Sequence, residues 1–228
     1  MAKKKSKYNW TAALRVLKED MEPEHYKIVV DSKGKSFDSD GKDLVKELVI
    51  EMYRNYRTGK IDREAYRRIV ITNVVTGAIY RNFINRIQTG ISEKGYSVVS
   101  TMATEEITYG STYTVGLNRT LGYDLAIINN ADVNNRHDVL VNTLANLNGL
   151  SKEDLNGALI KFNEGDRVQL FKVDNSKVLE TYTPYVKTVL SPGTEVTVFQ
   201  IVYPNTDGLL PSDEGYLETT QHPVFIQI

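Results

Sequence analysis

Residues 111–129 read STYTVGLNRTLGYDLAIIN, and the reading of this stretch decides the fold. Thr112-Tyr113-Thr114-Val115 and Tyr123-Asp124-Leu125-Ala126-Ile127-Ile128 are rich in β-branched and aromatic residues, the composition of strands. Asn118 to Gly122 supplies a turn between them. Gly116, directly after a valine, marks either a bulge or a place where a ligand approaches the backbone. Tyr113-Thr114-Val115-Gly116-Leu117 therefore reads as a core strand or as the lip of a site.

Working outward, Tyr96-Ser97-Val98-Val99 is a further strand, and Asn135 to Asn148 reads as a helix. Val139, Leu140, Thr143, Leu144 and Leu147 form its buried side. A short helix is expected from Ser151, where Ser-Lys-Glu-Asp has the form of a capping sequence. The remainder is strand-rich, with strands over 167–173, 179–187, 196–202 and 224–228, punctuated by Gly193, Pro204, Gly208 and Pro211. Strands without regular intervening helices predict a mainly antiparallel sheet and an α+β fold.

The first 90 residues have a different period. A helix capped by Asn9 or Thr11 runs to about Met21, ended by Pro23, and His25 to Val30 reads as a strand or extended segment. Asp38, Ser39 or Asp40 caps a helix to about Tyr56, closed by Thr58-Gly59-Lys60. Its apolar stripe is Leu44, Leu48 and Met52, with Val45 and Val49. Asp62 opens a long helix to Thr89 with Gly90 as its stop. Residues 66, 70, 73, 77, 80, 84 and 87 follow alternating steps of four and three, and other faces are apolar too. Such a helix belongs at the centre of a fold or at the seam of a homo-oligomer. The expected organisation is a basic helical region over 1–90 packed on an α+β domain over 91–228.

The 228-residue chain can bury a substantial core. Its lack of cysteine excludes disulfides, thiolate metal sites and cysteine nucleophiles. No apolar run reaches the roughly 20 residues of a membrane helix, and no apolar signal core follows the basic start, so a cytoplasmic location is expected. The net charge of −1 conceals an asymmetry. Residues 1–90 hold 19 Lys and Arg against 12 Asp and Glu, whereas residues 91–228 hold 9 against 17.

From about Gly95 the chain carries Gly95-Tyr96-Ser97-Val98, Tyr113-Thr114-Val115-Gly116-Leu117 and Gly122-Tyr123-Asp124-Leu125 before an apolar strand. Later it carries Phe199-Gln200-Ile201-Val202, Asp207-Gly208-Leu209-Leu210-Pro211 and Gln221-His222-Pro223-Val224. In order and spacing this resembles a bacterial and phage family, the domain of unknown function numbered 4262, over about residues 91–228. Two departures stand out. The family's His-Pro-Glu turn is Tyr123-Asp124 here, and the tryptophan after the late proline is Ser212. The resemblance implies a fold and a phage or mobile-element setting, and no activity.

The residues offer no catalytic constellation. His25, His137 and His222 are far apart with no metal-ligand spacing, no serine sits in Gly-x-Ser-x-Gly, and the glycines spell no phosphate loop. No metal and no cofactor are expected. A ligand site, were there one, is drawn from strand ends and the late loop: Tyr113, Thr114, Asn118 and Arg119 facing Asp207, Tyr216 and His222. A nucleic-acid site is drawn from Arg54, Arg57, Lys60, Arg63, Arg67 and Arg68, interleaved with Tyr53, Tyr56 and Tyr66. The expected function is a non-enzymatic binding protein acting on a host protein or defence system. A nucleotide-like small molecule bound or hydrolysed is the alternative, and nucleic acid the third.

Overall fold

The computed structural model describes residues 8–147, 150–163, 166–205 and 207–216. The chain forms two compact units that divide between Asn85 and Arg86. The expected strand over 224–228 lies outside the described residues.

The first unit is helical: α1 (Trp10–Asp20), α2 (Pro23–Ser32), α3 (Leu44–Arg57) and α4 (Arg63–Val70), the last continuing into α5 (Thr76–Lys94). Asn9 caps α1 by accepting the Ala12 N–H, as its position before the apolar stripe predicts. The segment expected to be extended at His25–Val30 is instead α2. Pro23 both stops α1 and starts α2, because a proline in the first helical turn lacks only an N–H that has no intrahelical partner there. The β-branched run Ile28-Val29-Val30 yields to packing, with Val29 fully buried while Val30 faces solvent. Asp43, rather than an earlier residue, caps α3, and Asp38 instead accepts the N–H groups of Asp40 and Lys42 in the preceding turn. The α3 stop is as expected: Lys60 N–H bonds the Asn55 carbonyl and Gly59 N–H that of Tyr56, a Schellman pair.

Between α4 and α5, residues Ile71–Val75 form a π-turn in which Thr76 N–H reaches the Ile71 carbonyl. The extra residue shifts the buried stripe from Tyr66, Val70 and Val74 to Val75, and leaves Asn73 exposed instead of on the seam. The helix also passes through Gly90, which sequence alone makes a stop. A Cβ at this position would lie 2.1 Å from Ser97 Oγ, the hydroxyl that donates to the Ile87 carbonyl at 2.8 Å. Gly90 is there for that close approach. The core of this unit gathers Ala13, Leu17, Val29, Val49, Tyr53, Tyr66 and Val70.

Among the described residues the second unit holds a six-stranded sheet in the order β1-β2-β3-β6-β5-β4. The strands are β1 (Ser97–Thr101), β2 (Gly110–Val115), β3 (Asp124–Asn129), β4 (Leu159–Asn163), β5 (Asp166–Lys172) and β6 (Val198–Val202). All neighbours pair antiparallel except β3 and β6, which run parallel. The α+β reading holds. Every residue of β2 and β3 is buried: β3 is apolar over Leu125-Ala126-Ile127-Ile128, whereas β2 buries Ser111, Thr112 and Thr114 with their hydroxyls hydrogen-bonded. The quoted stretch is the centre of the sheet.

Helix α7 (Val133–Ala145) shares a core with Leu125, Ile127, Phe199, Ile201 and Leu170 through Leu140 and its neighbours. On the other face Ser111 Oγ donates to the Tyr182 carbonyl at 2.7 Å. That carbonyl belongs to α8 (Ser176–Tyr182), where a strand over 179–187 is expected. Asn175 accepts the Lys177 N–H and starts α8, and Pro184, with no N–H for a ladder, follows it. The segment expected from Ser151 is a single 3-10 turn, Lys152–Asp154. Strand β4 is the element that sequence reasoning misses. It is an edge strand in which Ile160 is the one buried side chain among those described, so its pattern is weak.

Gly116 closes β2 at φ 98°, where an ideal Cβ would come within 2.7 Å of Ile91 Cγ1. Gly116→Ala is expected to lower stability by about 1–3 kcal/mol, through left-handed strain and displacement of Ile91 together. Thermal unfolding checks it, and an unchanged midpoint would mean the turn relaxes freely.

Candidate functional site

Three polar arrangements in the second unit stand out from its apolar core. The first is built on Asp124, which has no solvent exposure. Its Oδ1 accepts the Thr114 hydroxyl at 2.8 Å and the Leu117 N–H at 3.1 Å, and its Oδ2 accepts the Asn118 N–H at 3.4 Å. Thr114 Oγ1 in turn accepts the Leu125 N–H at 2.9 Å. The carboxyl thus ties the start of the short helix α6 (Asn118–Leu121) to β2 and β3. Burial raises its pKa to about 7, against the opposing pull of the three donors.

The second is Arg136 on α7, only 2% exposed. Its guanidinium donates to Thr112 Oγ1 and to the carbonyls of Asn129, Ala131 and Thr101. No carboxylate pairs with it among the described residues; backbone dipoles satisfy the fork. Gly110 lies under it, since a Cβ there would meet both terminal nitrogens at 2.8 Å. Both clusters are fully engaged in holding strands and helix together.

The third is an open cleft of about 570 Å³ beside α7. One wall is a face of that helix, Asn135, Asp138, Val139 and Asn142. Spacings of three, four and seven residues place them on one side. The opposite wall comes from the sheet: Phe162 of β4, Arg167 and Val168 of β5, then Tyr203 and Pro204 after β6. Asn129 Nδ2 donates to the Tyr203 hydroxyl, fixing that ring from β3. Arg167 is anchored through one nitrogen, with Nη2 donating to Asp213 Oδ2 at 2.7 Å and to the Gly208 carbonyl at 3.0 Å. Its Nε and Nη1 have no acceptor among the described residues, so the side chain is positioned and still has donors to offer.

The family model for a domain of unknown function, DUF4262, matches residues 90–217, more than half of the chain. The chain belongs to that family. No curated protein and no solved structure matches it. The DUF4262 match covers all six strands, both buried clusters and the cleft, whereas the basic helical turn lies outside it.

Within the DUF4262 domain the residues proposed from sequence are dispersed. Tyr113 and Thr114 are completely buried, and burial pushes the Tyr113 phenol above its ordinary pKa. Asn118 sits at the start of β6, its Nδ2 donating to the Thr197 carbonyl, and Arg119 donates to the Val189 carbonyl. Asp207 belongs to the turn beyond the other end of β6, where Asn205 Oδ1 accepts its N–H. Tyr216 is half-buried, and His222 lies outside the described residues. Thr114 and Asn118 meet at Asp124, Tyr113 lies on the opposite face of β2 from Thr114, Arg119 turns to the Val189 carbonyl, and Asp207 stands beyond the other end of β6. The cleft residues Asn135, Asp138 and Asn142 had a legible signal, polar positions on one face of a predicted helix. Arg167 had none, because its anchor Asp213 is 46 residues away.

In the first unit the interleaved tyrosines face inward. Tyr66 is fully buried, donates to the Ala13 carbonyl at 3.3 Å and stacks on Tyr56 with ring centroids 5.9 Å apart. Tyr53 packs on both neighbours. Arg63 pairs with Asp20 at 2.6 Å and Glu19 at 2.8 Å, Arg67 donates to the Asp20 carbonyl, and Arg54 lies over the Tyr8 ring. Arg57, Lys60 and Arg68 remain exposed with no ion pair among the described residues. No group of three or more potential metal ligands and no helix long and apolar enough to cross a membrane occur among the described residues.

Proposed function

We propose that this chain is a non-enzymatic cytoplasmic binding protein whose DUF4262 domain takes its ligand in the cleft beside α7. The observation that carries this reading is the state of Arg167, held in place by Asp213 and Gly208 with donors left over. It faces a helix wall that offers two carboxamides and a carboxylate, with aromatic surface between. Among the described residues the lining includes no serine, cysteine, lysine or histidine, and those present are positioning groups. A host factor or defence protein, in a phage or mobile-element setting, is the partner envisaged, and a nucleotide-like molecule is the alternative.

The test is an NMR titration of the full chain with pools of nucleotides, amino acids and short peptides. Shifts are expected at Asn135, Asn142 and Tyr203, and Arg167→Ala is expected to weaken the binding at least tenfold. Binding that leaves these resonances unmoved would place the ligand elsewhere. A phosphate-driven nucleic-acid mode through Arg57, Lys60 and Arg68 makes a separate prediction. Affinity would fall steeply between about 50 and about 200 mM salt, and a flat salt response eliminates it.

A further inference from the structure

We propose that the occupant of the α7 cleft is an extended segment of another polypeptide, carrying a basic side chain opposite Asp138 and an acidic one opposite Arg167. This rests on the reading of the cleft as the ligand site. Asn135 and Asn142 are two helical turns apart, a rise of about 10.5 Å. Each carboxamide presents one acceptor and two donors, the complement of a backbone N–H and C=O. Neither side chain forms a hydrogen bond with another described residue. An extended chain advances about 3.3 Å per residue, so the two amides bracket about three residues. A single planar base is too short to engage both.

The charges select further. Asp138 lies between the two amides on the same wall, and its carboxylate is 3.7 Å from His137 Nδ1 with no other ion pair among the described residues. It favours a cationic group and opposes a phosphate. Arg167 is partly neutralised by Asp213, which suits one carboxylate better than a doubly charged phosphate. Phe162 and Tyr203 give an apolar floor for the intervening side chain.

The test is an array of heptapeptides whose three central positions run through Lys, Ala and Glu in every combination, probed with the full-length chain and followed by fluorescence anisotropy. Peptides with Lys and Glu on either side of the central residue are expected to bind at least tenfold more tightly than the all-Ala peptide. Asp138→Asn, an exposed and conservative change, is expected to abolish the preference for Lys while keeping that for Glu. Arg167→Ala is expected to do the reverse. Equal binding of all charge patterns overturns the proposal. If the cleft resonances respond to nucleotides or amino acids and to no peptide, the site stands and the peptide assignment fails. If they respond to nothing, both readings fail.

Discussion

Replacing Asp124 with alanine is expected to lower the unfolding free energy of the DUF4262 domain by about 3–5 kcal/mol. The change removes the acceptor of two backbone N–H groups, those of Leu117 and Asn118, and of the Thr114 hydroxyl. Each buried donor left without a partner costs about 1–3 kcal/mol, and Thr114 can rotate to recover part of its share. Asp124→Asn keeps one acceptor oxygen and the shape, so it should lose about half as much. Urea denaturation of the three proteins checks the order, and an Ala variant within about 1 kcal/mol of the parent would show that the turn reorganises without its clamp.

The same carboxyl gives a pH dependence opposite to the usual one for an acid. Its folded pKa of about 7 exceeds the reference 3.8, so the folded state binds the proton more tightly than the unfolded one. This contribution is greatest below about pH 4, declines as the pH rises from there towards 7, and is gone above. The slope from one group is at most about 1.4 kcal/mol per pH unit. In Asp124→Asn that component should vanish from a series of denaturation curves between pH 4.5 and 7.5. A carbon-detected titration with a midpoint near 4 would show instead that the three donors outweigh burial.

Arg136→Met is expected to cost about 3–4 kcal/mol. Methionine replaces much of the aliphatic stem, so the loss comes from the fork. The carbonyls of Thr101, Asn129 and Ala131 and the Thr112 hydroxyl lose their donor in a site that is 2% exposed. Arg136→Lys keeps a charge yet cannot span four acceptors in different directions, and should fall between the two. Amide exchange should accelerate first in β1 and β2, whose ends the guanidinium joins to β3. Equal stability of the Met variant and the parent would refute the account.

Local physics made some elements readable. The β-branched runs of β2 and β3, the side-chain caps at Asn9 and Asp62, and the Schellman stop at Gly59 each rest on residues within a few positions of one another. Elements decided by distant partners depart from their local signals. Ile28-Val29-Val30 is helical because Val29 packs into the helical core, and Thr181-Tyr182 is helical where Ser111 donates to the Tyr182 carbonyl. Gly90 continues a helix because Ser97 needs the space. Of the proposed ligand residues, Thr114 and Asn118 are bound up with the buried Asp124, and the cleft was invisible because its walls come from α7, β4, β5 and the end of β6.

The sequence by itself determined the α+β class, the membership in a family and the central strand–turn–strand, because these depend on composition, periodicity and order along the chain. Tertiary structure alone decided that Asp124 and Arg136 are buried and structural, and that Asn135, Asp138 and Asn142 face Arg167 across a cleft. Periodicity says which side of a helix is polar. It is the sheet order, with β5 beside β6 and β4 at the edge, that decides what stands opposite.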